Sequence, residues 1–286
     1  MYPAAFEYHR ASSTEEALDL LARLPGARLL AGGHSLIPMM KLRLAQPAAL
    51  IDIGRLSELG GVSGHGDSIR IGALTSHAQL VASTLLRDHC PILAEAASKI
   101  ADPQVRNKGT IGGNIAHADP ASDLPAVLVA LGATVILRGK DGEREVAAAN
   151  FFVDLLTTEL TENELIMAIE VPRLGSGTGS AYLKVEHPAS GYAVCGAAAV
   201  VTLENGTCSA ASLAFNGVTA TPLAAGAVTE ALIGSDAGDS AIAAALGANL
   251  SVPDPMSDLH ASGEYRTALA AAYGRRAIAL ARDRAV

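Results

Sequence analysis

The chain has 286 residues and a formal charge of −8; half of its residues are hydrophobic, yet only 3% are aromatic and Trp is absent. That length allows two domains, with a sizeable core that must be built mainly from Ala, Val, Leu and Ile. The 21 basic residues are scattered along an acidic chain, so the concentrated positive surface that nucleic-acid binding requires is missing.

In chain order, Ser13-Thr14-Glu15-Glu16 reads as a capping box that starts a short amphipathic helix, which Pro25-Gly26 ends. Arg28-Leu29-Leu30-Ala31 reads as a strand running into a tight turn at Gly32-Gly33. Strand patterns follow at 49–53 and 68–72, and helical patterns at 76–82 and 92–100. Next come a glycine-rich turn at 109–113, a helix at 124–131 and a strand at 133–137. A strand at 164–171 is stopped by Pro172, and the small, flexible residues that follow it read as a linker. The domain boundary is placed there, giving a first domain over 1–173 and a second over 180–284. Beyond the linker, strands at 181–186, 193–203 and 208–215 precede helices at 222–233 and 265–282. Runs of strands followed by runs of helices indicate an α+β class.

Cys90, Cys195 and Cys208 lie far apart without C-x-x-C spacing, and the eight histidines show no zinc-binding pattern. The first ten residues lack the layout of a signal peptide, and neither 124–137 nor 206–229 reads as a membrane span. The expected location is cytoplasmic.

Two glycine-containing segments stand out, Ala31-Gly32-Gly33-His34-Ser35 and Thr110-Ile111-Gly112-Gly113-Asn114. Paired glycines permit positive φ and close backbone approach, so consecutive N–H groups can converge on an anion without a lysine. Ser35, Thr110 and Asn114 would add side-chain donors. Neither segment fits a Walker A loop or G-x-G-x-x-G, and a single Gly-Gly pair is more often an ordinary tight turn.

The longer segments Leu30-Ala-Gly-Gly-His-Ser-Leu-Ile-Pro-Met-Met-Lys-Leu-Arg43 and Ile100-Ala-Asp-Pro-Gln-Val-Arg-Asn-Lys-Gly-Thr-Ile-Gly-Gly-Asn-Ile115 carry a resemblance. Together they resemble the FAD-binding medium subunit of the carbon monoxide dehydrogenase and xanthine dehydrogenase family of molybdenum hydroxylases. The resemblance implies a vanillyl-alcohol-oxidase (PCMH)-type FAD-binding domain followed by a smaller α+β C-terminal domain of the CO dehydrogenase flavoprotein type. It places the FAD pyrophosphate between residues 31–35 and 110–114. Further flavin contacts implied are Ile100, Ala116, His117, Asp123, Ile166 and Lys184, with Tyr192 covering the isoalloxazine. The bland alternatives are helix capping for Asp123, polar turn positions for His34 and His117, a surface ion pair for Lys184 and core packing for Tyr192.

The resemblance also implies partners: a large subunit with a molybdenum-pterin cofactor that oxidises the substrate, and a small subunit with two-iron two-sulfur clusters. The expected assembly is a dimer of heterotrimers in which this FAD passes electrons to an external acceptor. Some relatives carry an acidic residue where this chain has Tyr192, so a quinone, oxygen or another acceptor is favoured over NAD. Two other readings are a self-contained flavoenzyme of the same fold and a flavin-free assembly module. No acid–base constellation supports the first, and the intact glycine segments argue against the second.

Overall fold

The computed structural model describes residues 1–285. Near the N-terminus, the helix Thr14–Arg23 is capped by Ser13, whose hydroxyl accepts the Glu16 N–H at 3.2 Å. The returning bond of the capping box lands one residue further out, because the Glu16 carboxylate accepts the Ser12 N–H at 2.7 Å. The helix buries Ala17, Leu18, Leu20 and Leu21 in a small core with Ile51. Ile51 belongs to a parallel three-stranded sheet ordered Glu7–Arg10, Ala49–Asp52, Ala27–Leu30. The first glycine pair leaves the carboxyl end of Ala27–Leu30, the end at which loops of parallel sheets commonly meet ligands.

A five-stranded antiparallel sheet follows, ordered Val62–His65, Ser68–Gly72, Leu165–Pro172, Thr134–Gly139, Gly142–Ala147. Its three inner strands match the sequence patterns. The two edge strands are mostly exposed and carry no apolar alternation strong enough to read in advance. The central strand is irregular between Ile166 and Ala168. At this bulge the Met167 carbonyl accepts the Ala73 N–H at 3.0 Å, and the Ala73 carbonyl accepts the Gly112 N–H at 2.8 Å. A bulge thus ties the sheet to the second glycine segment.

That second segment corrects the expectation of a turn at 109–113. Thr110 is the N-cap of the helix Ile111–His117 and accepts the Gly113 N–H at 3.2 Å. Neither Gly112 nor Gly113 has positive φ. Glycine's poor helix propensity is overridden by packing, since a Cβ on Gly112 would lie 2.6 Å from that of Ala73.

The C-terminal sheet is antiparallel, ordered Thr178–Glu186, Ala193–Glu204, Thr207–Asn216, Leu223–Ala224. Its first strand starts inside the segment read as a linker. Ala197, Ala198 and Ala199 on its second strand are all buried, because helices Gly263–Asp283 and Asp123–Ala130 both pack against that strand. Burial on both faces gives a continuous apolar run instead of alternation. The expected helix at 222–233 shrinks to Gly226–Glu230, as Leu223–Ala224 pairs with the sheet instead. The helix Asp239–Asn249 was not anticipated.

Arg144 on an edge strand holds Glu164 through bonds of 2.6 and 2.8 Å. Those bonds, opposed by burial and helped by Thr161, pull the Glu164 carboxyl from 4.5 down to about 2. A depressed acid pKa stabilises the fold above the unfolded value and loses that contribution as pH falls through the folded one. Glu164→Gln should therefore flatten the acid decline in thermal midpoint between pH 4.5 and about 2. Equal slopes for the variant and the parent protein across this window would contradict the assignment.

Candidate functional site

The two glycine segments meet through their backbones. A Cβ on Gly32 would collide with the Lys108 carbonyl and come within 3.1 Å of the Gly109 Cα. One on Gly113 would lie 3.9 Å from the Ala31 Cβ. Gly33 takes the left-handed conformation, with φ +73, and a side chain there would also press on Leu30 and Ile37. Beneath the junction, His77 is buried with its ring against Gly109, and its backbone N–H donates to the Gly109 carbonyl at 3.0 Å. Burial, with the charges of Arg106 and His34 beyond it, holds His77 down at about 4, so the wedge is neutral near pH 7.

The two segments differ in what they offer an anion. The N–H groups of Gly32, Gly33, His34 and Ser35 meet no protein acceptor among the described residues, while the His34 ring folds back to the Gly32 carbonyl at 3.0 Å. By contrast, the N–H groups of Ile111 and Gly112 are taken by Thr75 and Ala73, and those of Gly113 and Asn114 by Thr110. The first segment therefore supplies free backbone donors and the second forms the wall facing them. Asn114 accepts the Ser122 hydroxyl through Oδ1 at 2.8 Å, which leaves its amide N–H₂ as an available donor.

From Ser122 the site continues into the domain interface. Ser122, not Asp123, is the N-cap of Asp123–Ala130. The capping alternative for Asp123 thus gives way to a buried network: its carboxylate accepts the Tyr182 hydroxyl at 2.6 Å and Lys184 Nζ at 3.1 Å. Lys184 also donates to the carbonyls of Lys99 and Gly191, each at 2.7 Å. All three ammonium hydrogens are engaged, and its side chain is 3% exposed, so it is no surface ion pair. Burial pushes Asp123 up to about 6, against the pull of Lys184 and Tyr182. Tyr192 is 43% exposed rather than a core residue, and burial of its hydroxyl with the charges of Asp119 and Asp123 raises its pKa.

Residues 31–35 and 110–114 are therefore brought together, and Ile100, Asp123, Lys184 and Tyr192 gather at the interface. Ile166 lies at the bulge, and both it and Ala116 pack into the main core; His117 ends the helix Ile111–His117. Sequence reasoning missed Tyr182 and Asn216. Tyr182 stands two residues before Lys184 on one strand, hence on the same face, a signal that was present. Its single hydroxyl hydrogen goes to Asp123, while Asn216 Oδ1 sits 3.2 Å away and Nδ2 has no partner. Turning the amide over lets Asn216 donate to the Tyr182 oxygen, whose own hydrogen is already given to Asp123.

Residues 4–174 match the family profile described as the FAD binding domain in molybdopterin dehydrogenase, and residues 180–281 match the CO dehydrogenase flavoprotein C-terminal domain. The carbon monoxide dehydrogenase medium chain of Hydrogenophaga pseudoflava is 43% identical, with 97% of each chain covered. The alpha subunit of the 6-hydroxypseudooxynicotine dehydrogenase complex of Paenarthrobacter nicotinovorans is 39% identical, over 100% of this chain and 97% of that one. A solved structure of carbon monoxide dehydrogenase from Hydrogenophaga pseudoflava superimposes with a TM-score of 0.96 at 44% identity, covering 99% of both chains. Fold and profiles together define a two-domain, FAD-binding subunit of an oxidoreductase complex. Within that class, the chain belongs to the medium-subunit family of the carbon monoxide dehydrogenase and xanthine dehydrogenase type of molybdenum hydroxylase.

Tyr182→Phe should lower unfolding free energy by about 2 kcal/mol, the scale of a buried hydrogen bond to a charged group. Gly196→Ala should cost more, because its Cβ would collide with both Asn216 and Tyr182. Chemical denaturation of the two variants checks the order; a phenylalanine variant as stable as the parent would remove the hydroxyl from the account.

Proposed function

We propose that this chain is the electron-transfer subunit of a heterotrimeric molybdenum hydroxylase, with the FAD diphosphate held on the free N–H groups of Gly32, Gly33, His34 and Ser35. The observation that carries the reading is that unpaired row of donors, faced by a wall whose N–H groups from Ile111 to Asn114 are already committed. Four consecutive amides make a concave anion site without a basic side chain, which suits an acidic protein. The Asn114 amide adds a donor beside them.

At the other end, Tyr192 offers a half-exposed ring to lie over the isoalloxazine, and Lys184 supplies a buried positive charge. Since its hydrogens are engaged, Lys184 acts through its field, partly offset by Asp123, and favours negative charge on the ring. FAD supplies the capacity to take electrons singly and release them singly or as a pair. The protein's part is to bind it, orient it and limit what approaches.

Substrate oxidation belongs to a large partner with a molybdenum-pterin cofactor, and a small partner with two-iron two-sulfur clusters delivers electrons. Two such heterotrimers pair in the cytoplasm, and a quinone, oxygen or another acceptor other than NAD takes the electrons. This chain's own side chains fit a relay role. Among the described residues no group of three or more His, Cys, Asp or Glu is placed to hold a metal, and burial pushes the Cys90 and Cys195 thiols up to about 12.

The flavin-stripped full-length chain should take up equimolar FAD, and ADP should compete because it shares the diphosphate. Metal analysis of the same preparation should find neither molybdenum nor iron. Stoichiometric molybdenum in the isolated chain, or FAD uptake indifferent to ADP, would overturn the reading.

A further inference from the structure

Three consecutive carbonyl oxygens beyond the helix Pro91–Ser98 are each taken by a cation. Lys184 Nζ donates to the Lys99 oxygen at 2.7 Å, and Arg106 Nη1 donates to those of Ile100 and Ala101 at 2.7 and 2.9 Å. Between these bonds the backbone is strained, for Ala101 has φ +40, a left-handed conformation that an alanine keeps only where its surroundings over-determine it. Arg106 supplies that constraint. It ends the short helix Pro103–Arg106, whose N-cap Asp102 accepts the Val105 N–H at 2.8 Å, so the turn carries the guanidinium back over the segment it grips. Arg106 forms no ion pair among the described residues, which leaves the carbonyls as its partners.

The tip of the hairpin from the C-terminal sheet rests on this segment. Gly191 has φ +71, and a Cβ on it would lie 3.4 Å from the Ala101 Cα. Its carbonyl accepts Lys184 at 2.7 Å, and the next residue is Tyr192. Arg106 and Lys184 thus fix, from two domains, the ledge on which the Tyr192 loop sits.

We propose that Arg106 is a positioning residue for the isoalloxazine end of the site, holding the Ile100–Ala101 ledge in place so that Tyr192 and Ile100 fit the ring, while the first glycine segment holds the diphosphate. The proposal rests on the flavin reading above and adds a division of labour along the cofactor. A residue acting only on the ring end must affect FAD and spare ADP, whereas loss of the fold or of the anion cradle affects both.

The test titrates the flavin-stripped full-length chain with FAD and with ADP, and records the visible circular dichroism of bound flavin. Arg106→Met, which removes both carbonyl bonds and loosens the ledge, should weaken FAD about tenfold and alter the flavin dichroism. Its ADP affinity should stay within about twofold of the parent's, a small difference on the affinity scale. Arg106→Lys, which keeps a cation near the carbonyls, should recover part of the FAD affinity and provides a milder variant if the methionine chain folds poorly. Unchanged FAD affinity in both variants, or parallel loss of FAD and ADP in Arg106→Lys, would overturn the proposal. A parent chain that takes up no FAD would instead overturn the flavin reading itself.

Discussion

The site depends on one backbone contact, that of Gly32 against Lys108 and Gly109, which no side chain can interrupt. It joins the loop after a parallel strand to the loop before a helix. Around this contact, each element secures its neighbour. The bulge at Met167 holds Ala73, Ala73 holds Gly112, and Thr110 caps the helix that presents the wall. In the second segment the N–H groups of Ile111 to Asn114 are bonded within the protein, whereas those of residues 32–35 in the first are free.

The other half of the site is made by the C-terminal domain, and here charge does the joining. Removing Asp123 and Lys184 from water carries a large desolvation cost, repaid only if every remaining hydrogen and lone pair is well placed. The geometry meets that condition: Lys184 has three acceptors, and Tyr182 completes the carboxylate. A second cross-link runs in the opposite direction, as Lys99 Nζ donates to the Tyr182 carbonyl at 3.0 Å. The interface is therefore directional as well as apolar, and it fixes where the Tyr192 loop stands relative to the glycine segments.

Local signals were legible in the sequence wherever they were decided locally. The strand into Gly33 was readable because a left-handed glycine after a short apolar run has one common structural meaning, and the family resemblance named the right cofactor domain. What stayed hidden was decided by distant partners. Gly112 is a glycine because Ala73 lies beside it, yet in the sequence it reads as turn chemistry. Tyr182 meets Asp123 across 59 residues: its place two residues before Lys184 gives the shared face, but not the distant carboxylate its hydroxyl reaches. The alanine-rich stretch 222–233 was ambiguous for another reason: short apolar runs do not separate helix from strand until a neighbour, here Phe215 pairing with Leu223, selects one.

The central claim is that the diphosphate sits on the free amides of the first glycine segment, and amide hydrogen exchange reads those atoms directly. In the flavin-stripped chain the N–H groups of Gly32, Gly33, His34 and Ser35, having no acceptor, should exchange quickly, while those of Gly112 and Asn114, already bonded, should exchange slowly. Adding FAD should slow the first set strongly and change the second set little. Continued rapid exchange of residues 32–35 in the FAD-saturated chain would contradict the account.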